Sequence, residues 1–536
     1  MARSQPYTVA CAGGLVKSAN SIDLLRTPGV ARELRNFEVS IEGGYRRING
    51  YEKFGGASAT QPTGSASQIF GTMPYGDGVV VCVGNGIYFS QDGITWLQIN
   101  RLSATGGDNY TTFTGKALSV RTGQGQATFA MFEAAGMDYG QIFIADNSTK
   151  DIFSFRMEGT GALSTRTFYT EEISPNGSST AVKFITAHDH HLIAAGLDGE
   201  ETTVYYSVYN DPNNFTGVGA GSISISDKIV GIRGFREDLI VFCENSLHKL
   251  VNINDLTNIR IDPIAENVGC LSGYSIQEIG GDLVFLAPDG LRTVAGTARI
   301  GDVELGTVSK AIQPLLNDLA RNVDSYVITS MVHRDKSQYR LFYTDTTLDE
   351  NQQRGIIGTL RPNGFEWSET RGIEVTAIGT GFNEVGIEEH FHGSDTGYIY
   401  VHDAGNSFDG SNILARFGTP DYDYGDLGTL KTLHYLKVSA SSEGVVNPDV
   451  QVRFDYGSTD TPQPPNLFDL GTIDPPSLFG DAIFGTNVFG GAENPLIRIP
   501  LQGSGYSNNF TIISDDVKAP YTINGFYIDF IPSGRR

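Results

Sequence analysis

Two groups of histidines have residue types and spacing that could do chemistry. The first group surrounds Asp189, and strand alternation would place His188 and His190 on one face. Imidazole nitrogens are common ligands of Zn²⁺, so either group could hold a metal ion. We nevertheless expect both groups to be loop or strand-end residues on a polar surface. Their members are His188, His190 and His191, and, further along the chain, His390, His392 and His402.

An acidic segment could supply oxygen ligands to Ca²⁺. Asp421, Asp423 and Asp426 lie within six residues of one another. They lack the complete acidic loop and the closing glutamate of an EF-hand. The sequence therefore favours an acidic turn over a calcium site.

One short motif predicts a structural turn. The segment 90–96, SQDGITW, resembles the Asp-box hairpin of sialidases and related propellers but is one residue short. In such a hairpin the serine and aspartate fold the turn and the tryptophan packs beneath it. A sialidase would also need three arginines around its substrate carboxylate, and no part of the sequence groups three of them.

Other catalytic patterns are missing from the sequence. It contains no GxSxG, GxxxxGK or HExxH motif. Neighbouring acids such as Glu200-Glu201 and Glu388-Glu389 would point to opposite faces of a strand, which does not suit a general acid/base pair. We therefore predict no enzyme activity, no cofactor and no metal.

Composition excludes several classes of partner. The 536 residues include 61 acids and 38 bases, which gives a formal net charge of −23. Such a charge excludes a basic nucleic-acid binder and disfavours docking on an anionic membrane. No apolar run reaches 18 residues, and the N-terminus shows no long apolar core, so we expect neither a membrane span nor a secretory signal. The four scattered cysteines predict buried free thiols.

Period-two alternation predicts strands along most of the chain. An apolar strand, a tight turn and a second strand recur seven times, with anchors at the positions given next. They are Val80, Phe129, Leu192, Leu239, Leu283, Leu341 and Ile399. Propeller blades repeat every ~40–50 residues, so we predict an all-β fold with a β-propeller of about seven irregular blades over residues 57–410. A row of unrelated β-meanders is the alternative.

The C-terminal part differs from the propeller. Residues 411–536 alternate cleanly at their end and predict a β-sandwich platform. Within them, a Phe/Gly/Pro-rich loop at 460–491 could bury its phenylalanines or present them to another chain; these are Phe468, Phe479, Phe484 and Phe489. The single clear helical pattern covers residues 309–322, with Pro314 in its first turn.

The first 56 residues form a basic segment. They hold eight basic and five acidic residues, so they carry +3 while the remainder carries −26. This split predicts an N-terminal arm that docks on its own body or on a neighbouring subunit. An ordinary loop-rich first domain would fit the charge equally well. The candidate interface arginines are Arg26, Arg32, Arg35, Arg46 and Arg47.

Three segments carry a resemblance to a known family. The first, 13–56, contains GGLVKSANSIDLLRTPGVARELRNFEVSIEGGYRRINGYEKFGG, the second covers 231–296 with the helix after it, and the third is 519–536. In this order they resemble the tail hub or nozzle (packaged-DNA stabilisation) proteins of short-tailed bacteriophages. The matching positions of the first segment are Gly13, Gly14, Pro28, Gly29, Ala31, Asn36, Gly43, Gly44, Tyr45, Arg46, Arg47, Gly50 and Tyr51. The loop 460–491 is not part of this pattern.

The resemblance implies a structural virion protein of the phage tail. It would be assembled in the host cytoplasm as a hexameric ring between the portal-adaptor complex and the distal needle, spike or fibre proteins. Viral DNA would pass through the bore without sequence-specific binding, and an acidic bore would keep it from sticking. The alternative is a receptor-binding or glycan-processing tail propeller.

Overall fold

Short strands separated by tight turns dominate the computed structural model of this chain. It describes residues 4–84, 86–99, 112–115, 126–133, 137–147, 151–255, 257–295, 307–345, 347–349, 352–383, 386–464, 467–473 and 496–535. The strands form a propeller and a β-sandwich, and the predicted all-β class with this division is confirmed.

The propeller has seven sectors; six of them are blades that form separate sheets, and the sixth sector is part of a larger sheet. We number the sectors along the chain. The first comprises Ile69–Tyr75, Gly78–Val83, Gly86–Ser90 and Leu97–Gln98; the second Thr128–Phe132, Gln141–Ala145, Ile152–Glu158 and Thr167–Ile173, with Thr112–Gly115 parallel to the last of these. The third comprises Phe184–His188, His191–Leu197, Glu200–Tyr206 and Gly221–Ser224; the fourth Ile229–Phe235, Asp238–Cys243, Ser246–Val251 and Arg260–Glu266; the fifth Gln277–Ile279, Asp282–Ala287 and Gly290–Thr293.

The last two sectors tie the propeller to the rest of the chain. The sixth consists of Val327–His333, Gln338–Thr344, Arg354–Arg361 and Gly364–Arg371. These four strands belong to a nine-stranded sheet that continues into the sandwich. The seventh comprises Ala377–Phe382, Glu388–Gly393, Ile399–His402 and, from the N-terminal segment, Tyr51–Lys53. Each of the seven predicted anchors falls in a different sector.

Two sheets make the sandwich. The nine-stranded sheet continues from the sixth sector through Glu33–Arg35, Ile413–Gly418, Asn508–Asp516, Asp449–Phe454 and Phe468–Asp469. The seven-stranded sheet contains Phe37–Val39, Tyr45–Arg47, Tyr521–Arg535, Thr429–Ser442, Leu496–Pro500, Gln5–Ala10 and Ser504–Gly505. Alternating apolar residues of both sheets, among them Phe417, Phe510 and Phe526, fill the space between them.

The N-terminal segment is built into both halves of the molecule. Gln5–Ala10 pairs with Tyr521–Arg535, Glu33–Arg35 lies between two strands of the nine-stranded sheet, and Tyr51–Lys53 closes the seventh blade. The strand Tyr51–Lys53 thereby ties the N-terminal segment to the last sector of the propeller. Within the described residues, the N-terminal segment is thus an integral part of the fold, paired with strands of both the sandwich and the propeller.

Helical elements are short. The helix Gln313–Arg321 follows a 3₁₀ turn, Lys310–Ile312, has Pro314 at its start as predicted, and buries Leu316 and Leu319. A single helical turn covers Ser21–Leu24, and further 3₁₀ turns cover Gly56–Ser58, Leu163–Thr165, Gly273–Ser275, Val323–Ser325 and Asp455–Gly457. Of the helices described, none has the length and apolar character that crossing a membrane requires. All four cysteines are buried free thiols, as the sequence predicted.

Candidate functional site

A buried ionic network joins the N-terminal segment to the sixth and seventh sectors. We call it the junction network; its members are Glu38, Arg46, Lys336, Gln338, Arg340 and Asp403. Glu38 lies on the short strand Phe37–Val39, which the turn at Gly43 and Gly44 pairs with Tyr45–Arg47. Asp403 directly follows the third strand of the seventh blade and has a left-handed backbone, φ 62°. Both carboxylates therefore reach the same space from segments that are far apart in the chain.

Glu38 is saturated with donors. Its Oε1 accepts from Arg46 Nη1 at 2.8 Å and from Lys336 Nζ at 3.0 Å. Its Oε2 accepts from Gln338 Nε2 and Arg340 Nη2, both at 3.1 Å. A buried carboxylate is tolerated when its lone pairs are satisfied in this way.

Asp403 is satisfied by three cationic or imidazole groups. Arg340 Nη1 lies 3.2 Å from Oδ1, while Lys336 Nζ and His333 Nε2 lie 2.6 and 3.1 Å from Oδ2. Arg340 thus bridges the two carboxylates with its rigid fork of donors. The side chains of Glu38 and Arg340 are each only 3% exposed.

The network fixes the charges of its carboxylates. Burial alone would raise the pKa of Glu38, but Lys336, Arg340 and Arg46 outweigh burial and hold that pKa below its ordinary value. Burial likewise opposes ionisation of Asp403, yet Arg340, His333 and Lys336 hold the pKa of Asp403 well below its ordinary value. Both groups are anions at neutral pH, as the geometry requires.

A groove opens beside the network. It has a volume of about 370 Å³ and is lined by residues of the N-terminal segment, the sixth sector and the sandwich, including Lys336 and Thr522. Arg46 borders it and makes a two-point contact with Glu443, at 2.7 and 3.0 Å. The contacts of Arg46 with Glu38 and Glu443 thus connect the network to the sandwich beside this groove.

The predicted interface arginines have different environments. Arg47 is 1% exposed and is bound within its own chain by Asp516 and the carbonyl of Lys518. Arg32 is half exposed and pairs with Asp421 at 3.1 Å. Arg35 lies among charged neighbours on the nine-stranded sheet, where burial foremost lowers its pKa. Arg26 is exposed.

The predicted phenylalanine strip is only partly described. Phe468 pairs with Val450 at the edge of the nine-stranded sheet and packs half-buried against the sandwich core. It therefore acts as an anchor of its loop. Phe479, Phe484 and Phe489 lie outside the described residues.

The second histidine group was predicted wrongly to lie on a polar surface. His390, His392 and His402 are 5%, 0% and 4% exposed. The seventh blade is covered on both faces, so alternation does not leave one face to solvent there. Burial lowers the pKa of His392 to about 3, and burial together with His392 and Arg340 lowers that of His402 well below its ordinary value.

The first histidine group is engaged in protein contacts. His191 is buried, with Nδ1 2.6 Å from the carbonyl of Ser207 and Nε2 2.8 Å from Oδ1 of Asn254. His188 is half-buried and His190 is exposed. Both nitrogens of His191 therefore have protein partners. His188 ends the strand Phe184–His188, while Asp189 and His190 form the left-handed turn after it, so His188 and His190 do not share a strand face as the alternation had suggested.

In the predicted Asp-box hairpin, residues 90–96, side chains hydrogen-bond to the backbone of the turn. Asp92 Oδ1 accepts from the amides of Ile94 and Thr95, Ser90 Oγ accepts from Gly93, and Trp96 donates to the carbonyl of Thr60. The Asp-box role is thus structural, as predicted.

The acidic segment also serves local structure. Burial raises the pKa of Asp421, which accepts from Arg32 and Asn509. Asp423 and Asp426 accept from the amides of Gly425 and Gly428. These contacts agree with the predicted acidic turn.

Sequence reasoning missed the junction network. Glu38 and Arg340 are 302 positions apart, and no local pattern links them. The one usable signal was an arginine flanked by Tyr339 and Leu341 in a strand that is buried throughout. A charge in such a strand is almost always paired.

Comparisons with known proteins leave the function open. No protein-family model matches the chain, and no curated protein matches it. Solved structures that are similar include the extracellular domain of BT4673 from B. thetaiotaomicron, with TM-score 0.39 and 10% identity over 68% of this chain and 41% of that one. The AfRom2 CNH domain has TM-score 0.33 and 12% identity over 66% and 97% of the two chains. The exo-beta-1,3-galactanase of Phanerochaete chrysosporium has TM-score 0.26 and 10% identity over 90% and 99%.

These likenesses carry no argument about function. Every TM-score is below 0.5, and this chain spans 41% of the length of the BT4673 domain. Propellers host many unrelated activities, so function has to be argued from the residues themselves.

Proposed function

We propose that this chain is a non-enzymatic tail hub or nozzle subunit of a short-tailed bacteriophage, which retains packaged DNA and conducts it at ejection. The observation that carries the proposal is the meeting of the segments that resemble that family. Tyr45 and Arg46 of the first segment pair with Ile523 and Thr522 of the third. The ring of Phe37 also packs edge-on against Tyr521, with centroids 5.7 Å apart.

At two glycine positions of the first resembling segment, the structure leaves no room for a side chain. Gly44 has φ +78°, and a Cβ there would lie 2.6 Å from the carbonyl oxygen of Ile523. At Gly50 a Cβ would lie 1.8 Å from the carbonyl oxygen of Ser407. Both positions exclude any side chain, so this part of the motif specifies how the N-terminal segment docks on the third segment and on the seventh sector.

The net charge of the chain is compatible with a conduit for DNA. Arg46 and Arg47 are neutralised within the chain, whereas the whole chain retains a net charge of −23. An acidic wall repels phosphates and lets a packed genome slide.

The DNA path would lie between copies of the chain. The cavity at the propeller axis has a volume of about 300 Å³. A duplex, whose major groove alone is about 12 Å wide, does not fit such a cavity. The proposal therefore requires a ring, with a bore formed by several subunits.

Native mass spectrometry of the full chain at micromolar concentration tests the proposal. We expect a closed ring near six copies of the 57.9 kDa chain. If the N-terminal segment contacts a neighbouring subunit, the exposed Arg26 should contribute to that contact. Arg26→Glu should then lower the fraction of chains found in the ring. Lys310→Glu, an exposed charge reversal outside this segment, is the matched control.

Two results would count against the hub. One is a chain that stays monomeric at high concentration and in the presence of its adaptor. The other is a monomer that binds a glycan in an array screen, which would support the receptor-binding alternative.

A further inference from the structure

A second polar group lies next to the junction network, on the two sectors that close the propeller. We call His333, Glu388 and His390 the histidine cluster. His333 ends the first strand of the sixth sector, whereas Glu388 and His390 occupy alternate positions of one strand in the seventh. Among the described residues, this is the group whose candidate ligand atoms all lie within 4.8 Å of one another.

The cluster contains buried nitrogens without partners. His390 is 5% exposed, and neither of its ring nitrogens has a hydrogen-bond partner. His333 Nδ1 is also buried and unpartnered. Leaving a buried polar atom unsatisfied costs about 1–3 kcal/mol, so three such nitrogens in one place require a reason.

The distances suit a bound metal ion. His390 Nε2 and Glu388 Oε2 are 3.7 Å apart, too far for a hydrogen bond. Two ligands of a tetrahedral zinc ion, each ~2.0–2.1 Å from the metal, lie about 3.3 Å apart. A small movement of either side chain would bring both into coordination range.

Asp403 orients one of the histidines. His333 Nε2 lies 3.1 Å from Asp403 Oδ2, which favours a proton on Nε2 and leaves the lone pair on Nδ1. A carboxylate that fixes the far nitrogen of a histidine is the usual outer partner of a zinc ligand.

Access to the cluster also fits a metal. Arg334, whose side chain is 58% exposed, binds Glu388 through its guanidinium and its backbone amide. Rotation of this exposed arginine into solvent would open a path for an ion.

We propose that His333, Glu388 and His390 bind one divalent transition-metal ion of the zinc class, with a water molecule in the fourth position. The ion would couple the sixth and seventh sectors, where the ring of blades closes. This inference does not depend on the proposed function.

Metal binding by the chelator-treated full-length chain tests the site. After dialysis against micromolar ZnCl₂, elemental analysis should give one zinc per chain, and zinc should raise the thermal midpoint. Cobalt(II) should give the visible absorption of a four-coordinate site with nitrogen and oxygen ligands.

Two variants and one control locate the ion. His390→Phe keeps a ring of similar size, and Glu388→Gln keeps an acceptor for Arg334; each should weaken zinc binding at least tenfold. His434→Phe alters an exposed histidine on the sandwich and should bind as wild type does. The site is refuted if wild type binds less than half an equivalent, or if His390→Phe and Glu388→Gln both keep the full equivalent.

Discussion

Asp403 of the junction network contacts His333 of the histidine cluster, yet the buried polar atoms of the two groups differ in how completely they are hydrogen-bonded. In the network every oxygen of Glu38 has two donors, and Arg340 bridges both carboxylates. In the cluster, three buried nitrogens of His333 and His390 have no partner. Saturation indicates a structural role, because nothing is left to bind a ligand. Incomplete satisfaction indicates a place that a ligand completes.

Breaking the network at its bridging residue should have the largest effect. Arg340→Met removes the donor shared by Glu38 and Asp403 and leaves two buried carboxylates short of positive charge. We expect the free energy of unfolding to fall by about 3–5 kcal/mol, measured as a shift of the urea midpoint at unchanged slope. Arg340→Lys keeps the charge but loses the fork, so it should cost less than Arg340→Met. If both substitutions lowered the free energy of unfolding equally, the forked shape of the Arg340 guanidinium would account for the whole effect and its charge for none.

Acid should weaken the network through Glu38. The pKa of Glu38 is lower in the folded chain than its ordinary value of 4.5, so its stabilisation is fully present above about pH 4.5. As the pH falls through the folded-state pKa, that stabilisation is lost. Glu38→Gln should therefore lose stability at pH 7 and show a shallower decline than wild type on going from pH 5 to pH 3. Parallel urea titrations of the two proteins at these pH values measure the difference, and identical slopes would contradict it.

The rim of the network should matter less than its centre. Arg46 donates to Glu38, but Glu38 retains Lys336, Gln338 and Arg340 when Arg46 is removed. Arg46→Met should cost about 1–2 kcal/mol in urea unfolding. Glu443→Gln, on the half-exposed partner of Arg46, should change stability by less than ~0.5 kcal/mol. If Arg46→Met lowered the free energy of unfolding as much as Arg340→Met does, the residues at the rim of the network would be as important for stability as those at its centre.

Features that depend on residues close together in the sequence could be predicted from it, whereas features that depend on distant segments could not. Alternation and turn residues are local, so the strands at all seven anchors and the hairpin of Asp92 could be predicted. The burial of His390 could not, because it depends on neighbouring blades that cover both faces of its strand. The pairing of Glu38 with Arg340 depends on chain closure over 302 positions, which leaves no periodic signal.

The histidine cluster offers the smallest and most discriminating prediction. In chelator-treated protein, His390→Phe removes two unsatisfied nitrogens and replaces one ring with another of similar size. Its free energy of unfolding should therefore fall by no more than about 1 kcal/mol relative to wild type, since no hydrogen bond is lost. Added zinc should then stabilise wild type and leave His390→Phe unchanged, because binding only to the folded state raises stability by mass action. If the substitution instead cost as much as Arg340→Met without metal, the nitrogens of His390 would have to be bonded in solution. The cluster would then be a second saturated network.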